Sequence, residues 1–300
     1  MAIRKAVVVR PGGLGDLLLT VPVFQTLRNE GMAVACVVSK RFIPLLQDLS
    51  LVDEAFAFDD SKMMKLFISG GEHPVFYGCD LILSYCDEPV FCENLRRFSP
   101  YNLIIHSFDY HTLTRPVSDE LLEPLRRMGF FPVKKILSRP IPRFPRLFIH
   151  PGSGSMIKNW PSSRFFTIYS ALKGRIDTKI ILGEAEEKER LFWIDSAGND
   201  AVYRDRSLVS LAEEFFSGTF FIGNDSGPSH LAALCGLKTF LFFGPTSPLI
   251  WAPFAGSCTF FYAEEDCSPC GMHHALLCKE RRCLQNISPY EVLSALMAHL

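Results

Sequence analysis

Residues 219–236 read TFFIGNDSGPSHLAALCG. The first four, Thr219–Ile222, are aromatic and β-branched and predict a strand. A polar turn, GNDSGPSH, follows, and then a short helix that closes at Gly236. Pro228 suits a first helical position, where its missing N–H has no helical partner. Ser226 and Gly227 stand where a cap belongs, and Gly236 is a usual helix stop. A strand running through a turn into a helix N-terminus is the building unit of a parallel α/β sheet. The exposed N–H groups of such a helix end can hold a phosphate or pyrophosphate. Asp225, Ser226 and His230 also supply the residue types of a hydrolase triad. They crowd into six residues, whereas triad members normally converge from separate loops.

The same alternation extends outward in both directions. Ala6–Arg10, Ala33–Ser39, Asp80–Ser84 and Asn102–His106 read as strands, with helices over Asp16–Glu30, Phe42–Asp48 and Ser118–Gly129. Further on, Leu147–His150, Lys179–Leu182 and Thr239–Phe243 are strands, with a helix from about Ser162 to Lys173 and a Glu-rich helix after Gly183. Between the two series, Arg139–Pro145 (RPIPRFP) holds three prolines in seven residues. It can be neither helix nor central strand. The fold class is therefore α/β, with a first domain over 1–140, a linker at about 139–145 and a second domain over 146–300. Two doubly wound units of this kind are expected to face a cleft lined by the carboxyl ends of their strands.

The chain's 300 residues are 48% hydrophobic and 21% charged, with a net charge of −1. There is material for two cores and no basic stripe of the sort a nucleic-acid binder shows. No apolar run reaches the length of a transmembrane helix, and the apolar segment Ala6–Val9 is too short for a signal peptide. These features point to a cytoplasmic protein.

Three further stretches could carry chemistry. RPGGLGDLLLT, residues 10–20, puts Asp16 where a P-loop has lysine. Counted from Gly13, the third glycine of a dinucleotide fingerprint is replaced by Leu18. Asp16 is then either a dipole-matched residue of the first helical turn or a carboxylate at a strand end, able to take a proton from a hydroxyl. In PGSGSMIKNWP, Ser153, Gly154 and Ser155 form a loop able to wrap an anion, with Lys158 adding charge; a plain strand-to-helix loop has the same composition. In LGEAEEKER, a carboxylate just past a strand end can accept both ribose hydroxyls, while a solvated helix start would look alike. Finally, Cys267, Cys270, Cys278 and Cys283 surround His273 and His274. Only the first pair has ligand spacing, so reduced thiols packing a loop, a structural metal and a disulfide all stay open.

Taken in order, these stretches make the chain resemble the heptosyltransferase family of glycosyltransferases, family 9. RPGGLGDLLLTVPVFQTLR matches the family's Gly-Asp motif. HPGSGSMIKNWP matches its Lys-x-Trp-Pro motif. GNDSGPSHLAALCG and LFFGPTSP match its Asp-Ser-Gly-Pro-x-His and Phe-Gly-Pro-Thr motifs, and CSPC with later cysteines recurs among members. The resemblance implies a GT-B fold of two Rossmann-like domains around a central cleft. It also implies metal-independent, inverting transfer of a heptose from ADP-heptose to a sugar hydroxyl of the lipopolysaccharide inner core. By the same resemblance Asp16 is the general base and Lys158 contacts donor phosphate and sugar. Gly13, Gly15, Ser153 and Ser155 line the donor, Glu187 (or its neighbour Glu186) binds ribose, and Asp225, Ser226, Gly227 and His230 form the donor-binding segment. No cofactor is implied. The acceptor is expected to be a lipid A–core glycan, met at the cytoplasmic face of the inner membrane. Another nucleotide sugar, or donor binding without transfer, is the alternative.

Overall fold

Strand β1, Arg4–Val9, carries the valine run Val7–Val9, and those three side chains are fully buried. A computed structural model of the chain describes residues 4–98, 102–110, 112–137, 144–204 and 207–300. It divides into two units, Met1–Lys135 and Ile136–Leu300. The division falls just ahead of the proline-rich stretch, whose residues up to 143 lie outside the described ones.

In the first unit β1 is joined by β2 (Met32–Val38), β3 (Glu54–Ala57), β4 (Leu81–Ser84) and β5 (Leu103–Ile105). The sheet order is β3-β2-β1-β4-β5 and every pairing is parallel. The order in which successive strands are added reverses between β1 and β4, which makes the carboxyl end of β1 the topological switch point. The helix Leu14–Asn29 leaves that point and buries Leu17, Leu18, Val21, Phe24 and Leu27. The single helix expected over Ser118–Gly129 is instead two, Val117–Leu121 and Glu123–Arg127. Pro124 explains the break, because it has no N–H to continue the helical ladder.

The second unit holds β6 (Arg146–His150), β7 (Asp177–Leu182), β8 (Val202–Arg204), β9 (Phe220–Asn224), β10 (Lys238–Phe242) and β11 (Cys258–Phe261). Their order, β11-β10-β9-β6-β7-β8, is again all parallel. Its switch point lies between β6 and β9. One core of this unit is aromatic: Trp160 stacks on Phe242 at 4.2 Å, with Phe165 edge-on to both. The C-terminal helix Pro289–Met297 adds Val292 and Leu296 to it. After β7 the Glu-rich stretch is a 3-10 turn, Glu184–Glu189, ahead of a helix at Arg190–Ala197.

Candidate active site

At the second unit's switch point, β6 and β9 end side by side, with His150 paired to Gly223. Asn224, the last residue of β9, is fully buried and ties the two strand ends together. Its amide donates to the Pro151 carbonyl at 2.8 Å and the Gly152 carbonyl at 3.1 Å, and its Oδ1 accepts the Trp160 N–H at 2.8 Å. Trp160, buried against Phe242, in turn anchors the loop that carries Lys158. Within that loop Ser153 hydroxyl donors and acceptors are spent internally, on the Ser155 carbonyl, the Ser155 N–H and Asn159 Oδ1. Ser153 therefore shapes the loop.

Lys158 reaches across to β9's loop, where its ammonium lies 3.2 Å from Asp225 Oδ2. The Thr246 hydroxyl donates to the same oxygen at 2.8 Å, and His230 Nε2 stands 4.0 Å from Oδ1. Ser226 is the extended N-cap of the helix Gly227–Leu234, with Pro228 in its first turn, as the local sequence predicts. Its carbonyl accepts the Ser229 and His230 N–H groups, and its hydroxyl meets Ser229 Oγ at 3.0 Å. The structure thus brings Lys158, Asp225, Ser226 and His230 together around one helix N-terminus, where the backbone dipole favours negative charge. A fixed ammonium beside such a helix end is an arrangement suited to a phosphate or diphosphate.

The two glutamates after β7 diverge. Glu186 turns inward, 5% exposed, with its Oε2 accepting the Gly183 N–H at 2.7 Å and lying 3.7 Å from His150 Nε2. Burial would raise this carboxyl, but the His150 imidazole and the Gly183 N–H outweigh it and hold the group below the usual range. Gly152 makes the space: a Cβ there would stand 1.5 Å from Glu186 Oε1. Glu187 faces outward, 63% exposed, beside Arg190 at 2.8 Å, and is the one of the two with room to meet a ligand.

In the first unit Asp16 stands in the opening turn of Leu14–Asn29. Its Oδ2 accepts the N–H of the N-cap residue Gly13 at 2.9 Å, and its Oδ1 meets Arg10 Nη2 at 3.1 Å. Gly12 has φ +128°, and a Cβ on it would fall 2.8 Å from Asp16 Oδ2. Glycine is needed there on both counts. Gly15 lies within the helix's first turn. Arg10 is the residue that local sequence reasoning missed. It reads as the end of a strand, yet it is 5% exposed. Its Nε donates to Thr20 Oγ1 at 3.1 Å, and its guanidinium lies over the Tyr85 ring. Several surface arginines that could meet an acidic glycan are engaged at home: Arg115 with Glu120 and Glu123, Arg126 with Asp119, Arg127 with Glu123.

All ten cysteines are free thiols. Among the described residues no group of three or more His, Cys, Asp and Glu side chains is placed to hold a metal ion. Nor is any helix among them long and apolar enough to cross a membrane.

Residues 133–279 match the glycosyltransferase family 9 (heptosyltransferase) domain. The likeness to glycosyltransferase family 9 rests on this segment, which takes in Lys158, Glu187 and Asp225–His230, while Asp16 lies ahead of it. Among curated relatives, lipooligosaccharide heptosyltransferase 2 of Campylobacter jejuni serotype O:2 is 26% identical over 155 residues, 49% of this chain and 48% of the relative. The chain spans about half the length of the curated relatives it matches. Among solved structures, a family 9 glycosyltransferase from Veillonella parvula superposes with a TM-score of 0.78 at 17% identity, covering 98% of this chain and 96% of that one. The E. coli ADP-heptose lipopolysaccharide heptosyltransferase II superposes with a TM-score of 0.72 at 14% identity, covering 98% of each. These likenesses show the fold, which is the GT-B type with its two Rossmann-like sheets.

Proposed function

We propose that this chain is an inverting glycosyltransferase that moves a heptose from ADP-heptose to a sugar hydroxyl of the lipopolysaccharide inner core. The observation that carries the reading is the Lys158–Asp225 pair, set at 3.2 Å beside the N-terminus of Gly227–Leu234. Lys158 brings a positive charge and the helix end brings backbone N–H groups, both suited to a diphosphate, with Asp225 holding the ammonium in place. The name of the E. coli enzyme with the same fold supplies the donor. That of the Campylobacter relative supplies the acceptor class, a lipooligosaccharide.

In this reading the diphosphate lies against Lys158 and the helix N–H groups, with Glu187 accepting the ribose hydroxyls past the end of β7. The acceptor oxygen forms its bond to the anomeric carbon from the face opposite the diphosphate. The anomeric C–O bond breaks, ADP leaves with the electron pair, and Asp16 takes the acceptor's proton. Charge developing on the departing ADP is stabilised by dipoles and an ammonium already in place. Gly13 and Gly15 keep the backbone near Asp16 free of side chains, so substrate can approach it closely. The enzyme works in the cytoplasm, meeting its lipid-borne acceptor at the inner-membrane face.

Calorimetric titration with ADP, UDP and GDP, paired with turnover of wild type and Asp16→Ala on a lipid A–core acceptor, tests this. ADP alone should bind, and the variant should lose turnover while keeping ADP affinity within about twofold. Binding of another nucleotide in its place overturns the donor. An active Asp16→Ala overturns the base.

A further inference from the structure

The net charge of −1 conceals a local excess. From Arg126 to Arg146 the chain carries seven lysines and arginines and no aspartate or glutamate. The first ten of these residues, RRMGFFPVKK, belong to the first unit. They set two basic pairs, Arg126–Arg127 and Lys134–Lys135, on either side of an apolar stretch. Basic residues at this density suit a surface that carries many negative charges.

The segment is a fixed loop. Helix Glu123–Arg127 ends in a Schellman arrangement, with Gly129 at φ +83°. The Gly129 N–H donates to the Arg126 carbonyl at 2.9 Å and the Phe130 N–H to the Leu125 carbonyl at 3.0 Å. On the return, the Val133 N–H donates to Thr26 Oγ1 at 2.9 Å. The Lys135 backbone exchanges two hydrogen bonds with the Gln25 amide, at 2.9 and 2.8 Å. Asp119 clamps the base of the loop, taking Arg126 on Oδ1 and Lys134 on Oδ2, the latter at 2.9 Å. One carboxylate against two cations leaves a positive balance. Arg127, 74% exposed, shares Glu123 with Arg115, and Lys135 is exposed. Along the loop, Met128 and Phe131, 42% and 81% exposed, come between the two basic pairs.

That combination selects the occupant. Two apolar side chains offer little area to a protein partner, whose interface takes roughly 20–30 residues a side. A bilayer asks for less. Its headgroup layer receives a small apolar wedge while anionic lipids meet the cations around it, and two signals that are weak singly hold together. Because the loop is pinned at both ends, Phe131 is presented without a further ordering cost.

We propose that Arg126–Lys135 is a membrane-docking loop that seats the first unit on an anionic phospholipid surface. Phe131 and Met128 enter the headgroup layer, and Arg127 and Lys135 lie against lipid phosphates. This goes beyond the transfer reaction: it concerns where the protein sits, and it needs neither donor nor acceptor.

The test is co-sedimentation of the full chain with vesicles of phosphatidylcholine alone and of phosphatidylcholine with an equal part of phosphatidylglycerol. Wild type should bind the anionic vesicles at least about tenfold more tightly than the neutral ones, and lose most of that binding in about 0.5 M salt. Phe131→Ser should weaken binding about fivefold or more, and Arg127→Glu combined with Lys135→Glu about tenfold or more. The substituted side chains are exposed, so both variants should keep the circular dichroism of wild type. In Phe131→Trp, emission should shift to the blue on adding anionic vesicles, beyond any shift of the three native tryptophans. Insertion gives that shift, and attraction between charges alone does not. Equal binding to the two kinds of vesicle, binding unchanged in both variants, or no blue shift overturns the inference. So does a wild type that ignores vesicles and forms a dimer that Phe131→Ser dissociates, since a second copy is then the occupant.

Discussion

Arg10 and Asp16 hold one another in place: the buried guanidinium meets Asp16 Oδ1 at 3.1 Å while the Gly13 N–H meets Oδ2 at 2.9 Å. Both carboxylate oxygens are thereby fixed in direction. Arg10 manages this with a planar fork that also reaches Thr20, a geometry that a lysine's single ammonium cannot copy. If Asp16 is the base, as proposed, Arg10→Lys should lower kcat by about 10- to 100-fold, the loss expected when a base is displaced by roughly an ångström. The KM for the donor should change less than twofold, since Lys158, Glu187 and Asp225–His230, proposed to hold its nucleotide, lie in the other unit. Steady-state kinetics separate the two, and a raised donor KM with unchanged kcat would contradict the assignment.

Asn224 carries three hydrogen bonds to backbone groups of the Lys158 loop from a fully buried position. Asn224→Ala leaves one N–H and two carbonyls without that partner and should cost about 2–4 kcal/mol of stability. Asn224→Asp should cost at least as much, because a carboxylate cannot donate to the Pro151 and Gly152 carbonyls and brings a buried charge. Urea denaturation of the three proteins gives both numbers. A loss under about 0.5 kcal/mol in both variants, the size of an ordinary surface change, would remove Asn224 from this role.

Gly152 and Glu186 should behave as a coupled pair. A methyl group at 152 overlaps the Glu186 carboxylate at 1.5 Å, so Gly152→Ala should destabilise by about 1–3 kcal/mol, the usual penalty of overpacking. Glu186→Ala removes the obstacle. The double variant should then be more stable than the sum of the single losses by at least about 0.5 kcal/mol. Strict additivity in thermal or urea melts would show that the two side chains do not compete for that space.

Local sequence made some of this legible and hid the rest. Pro228 and Ser226 signal a helix N-terminus within a few residues, and that helix begins there. The alternation of apolar runs with amphipathic stretches gave the α/β class, now seen as two parallel sheets. The short strands β3, β8 and β11 escaped notice because sequences such as EAFA carry little β-branched character and are stabilised by neighbours in the sheet. Arg10 and Asn224 escaped for a different reason. Each is a polar residue at the end of an apolar strand, and its importance comes from partners that only folding brings close. The contrast between Glu186 and Glu187 is of the same kind, since it is set by the absence of a side chain at Gly152.

Acid should expose the Glu186 interaction. Its carboxyl is held below its ordinary value of 4.5 in the folded chain, burial opposing and His150 and the Gly183 N–H prevailing. The stabilisation is then complete above about pH 4.5 and is lost as pH falls through the lower folded-state value. Glu186→Gln cannot titrate. The gap in melting temperature between wild type and this variant should stay level from pH 7 to about 5 and narrow below 4.5. A gap independent of pH down to 3 would mean that the charge on Glu186 contributes nothing.

Thiol reactivity should sort the cysteines by burial. Cys267 and Cys278 are exposed, while Cys36, Cys92, Cys235 and Cys283 are buried. Burial raises the Cys92 thiol to about 11 and raises Cys36 further, and at Cys270 and Cys283 burial and the neighbouring thiols both act upward. The thiolate is the reactive form, so each of these effects slows alkylation near neutral pH. A brief maleimide pulse on the native protein at pH 7, read by peptide mass, should mark Cys267 and Cys278 first. Cys36, Cys92, Cys235 and Cys283 should react only once denaturant unfolds the chain. Rapid native labelling of Cys283 would show that the loop between Cys267 and Cys283 opens from the wall behind Gly244, where a side chain added at that glycine would meet Cys283 Sγ at 3.1 Å.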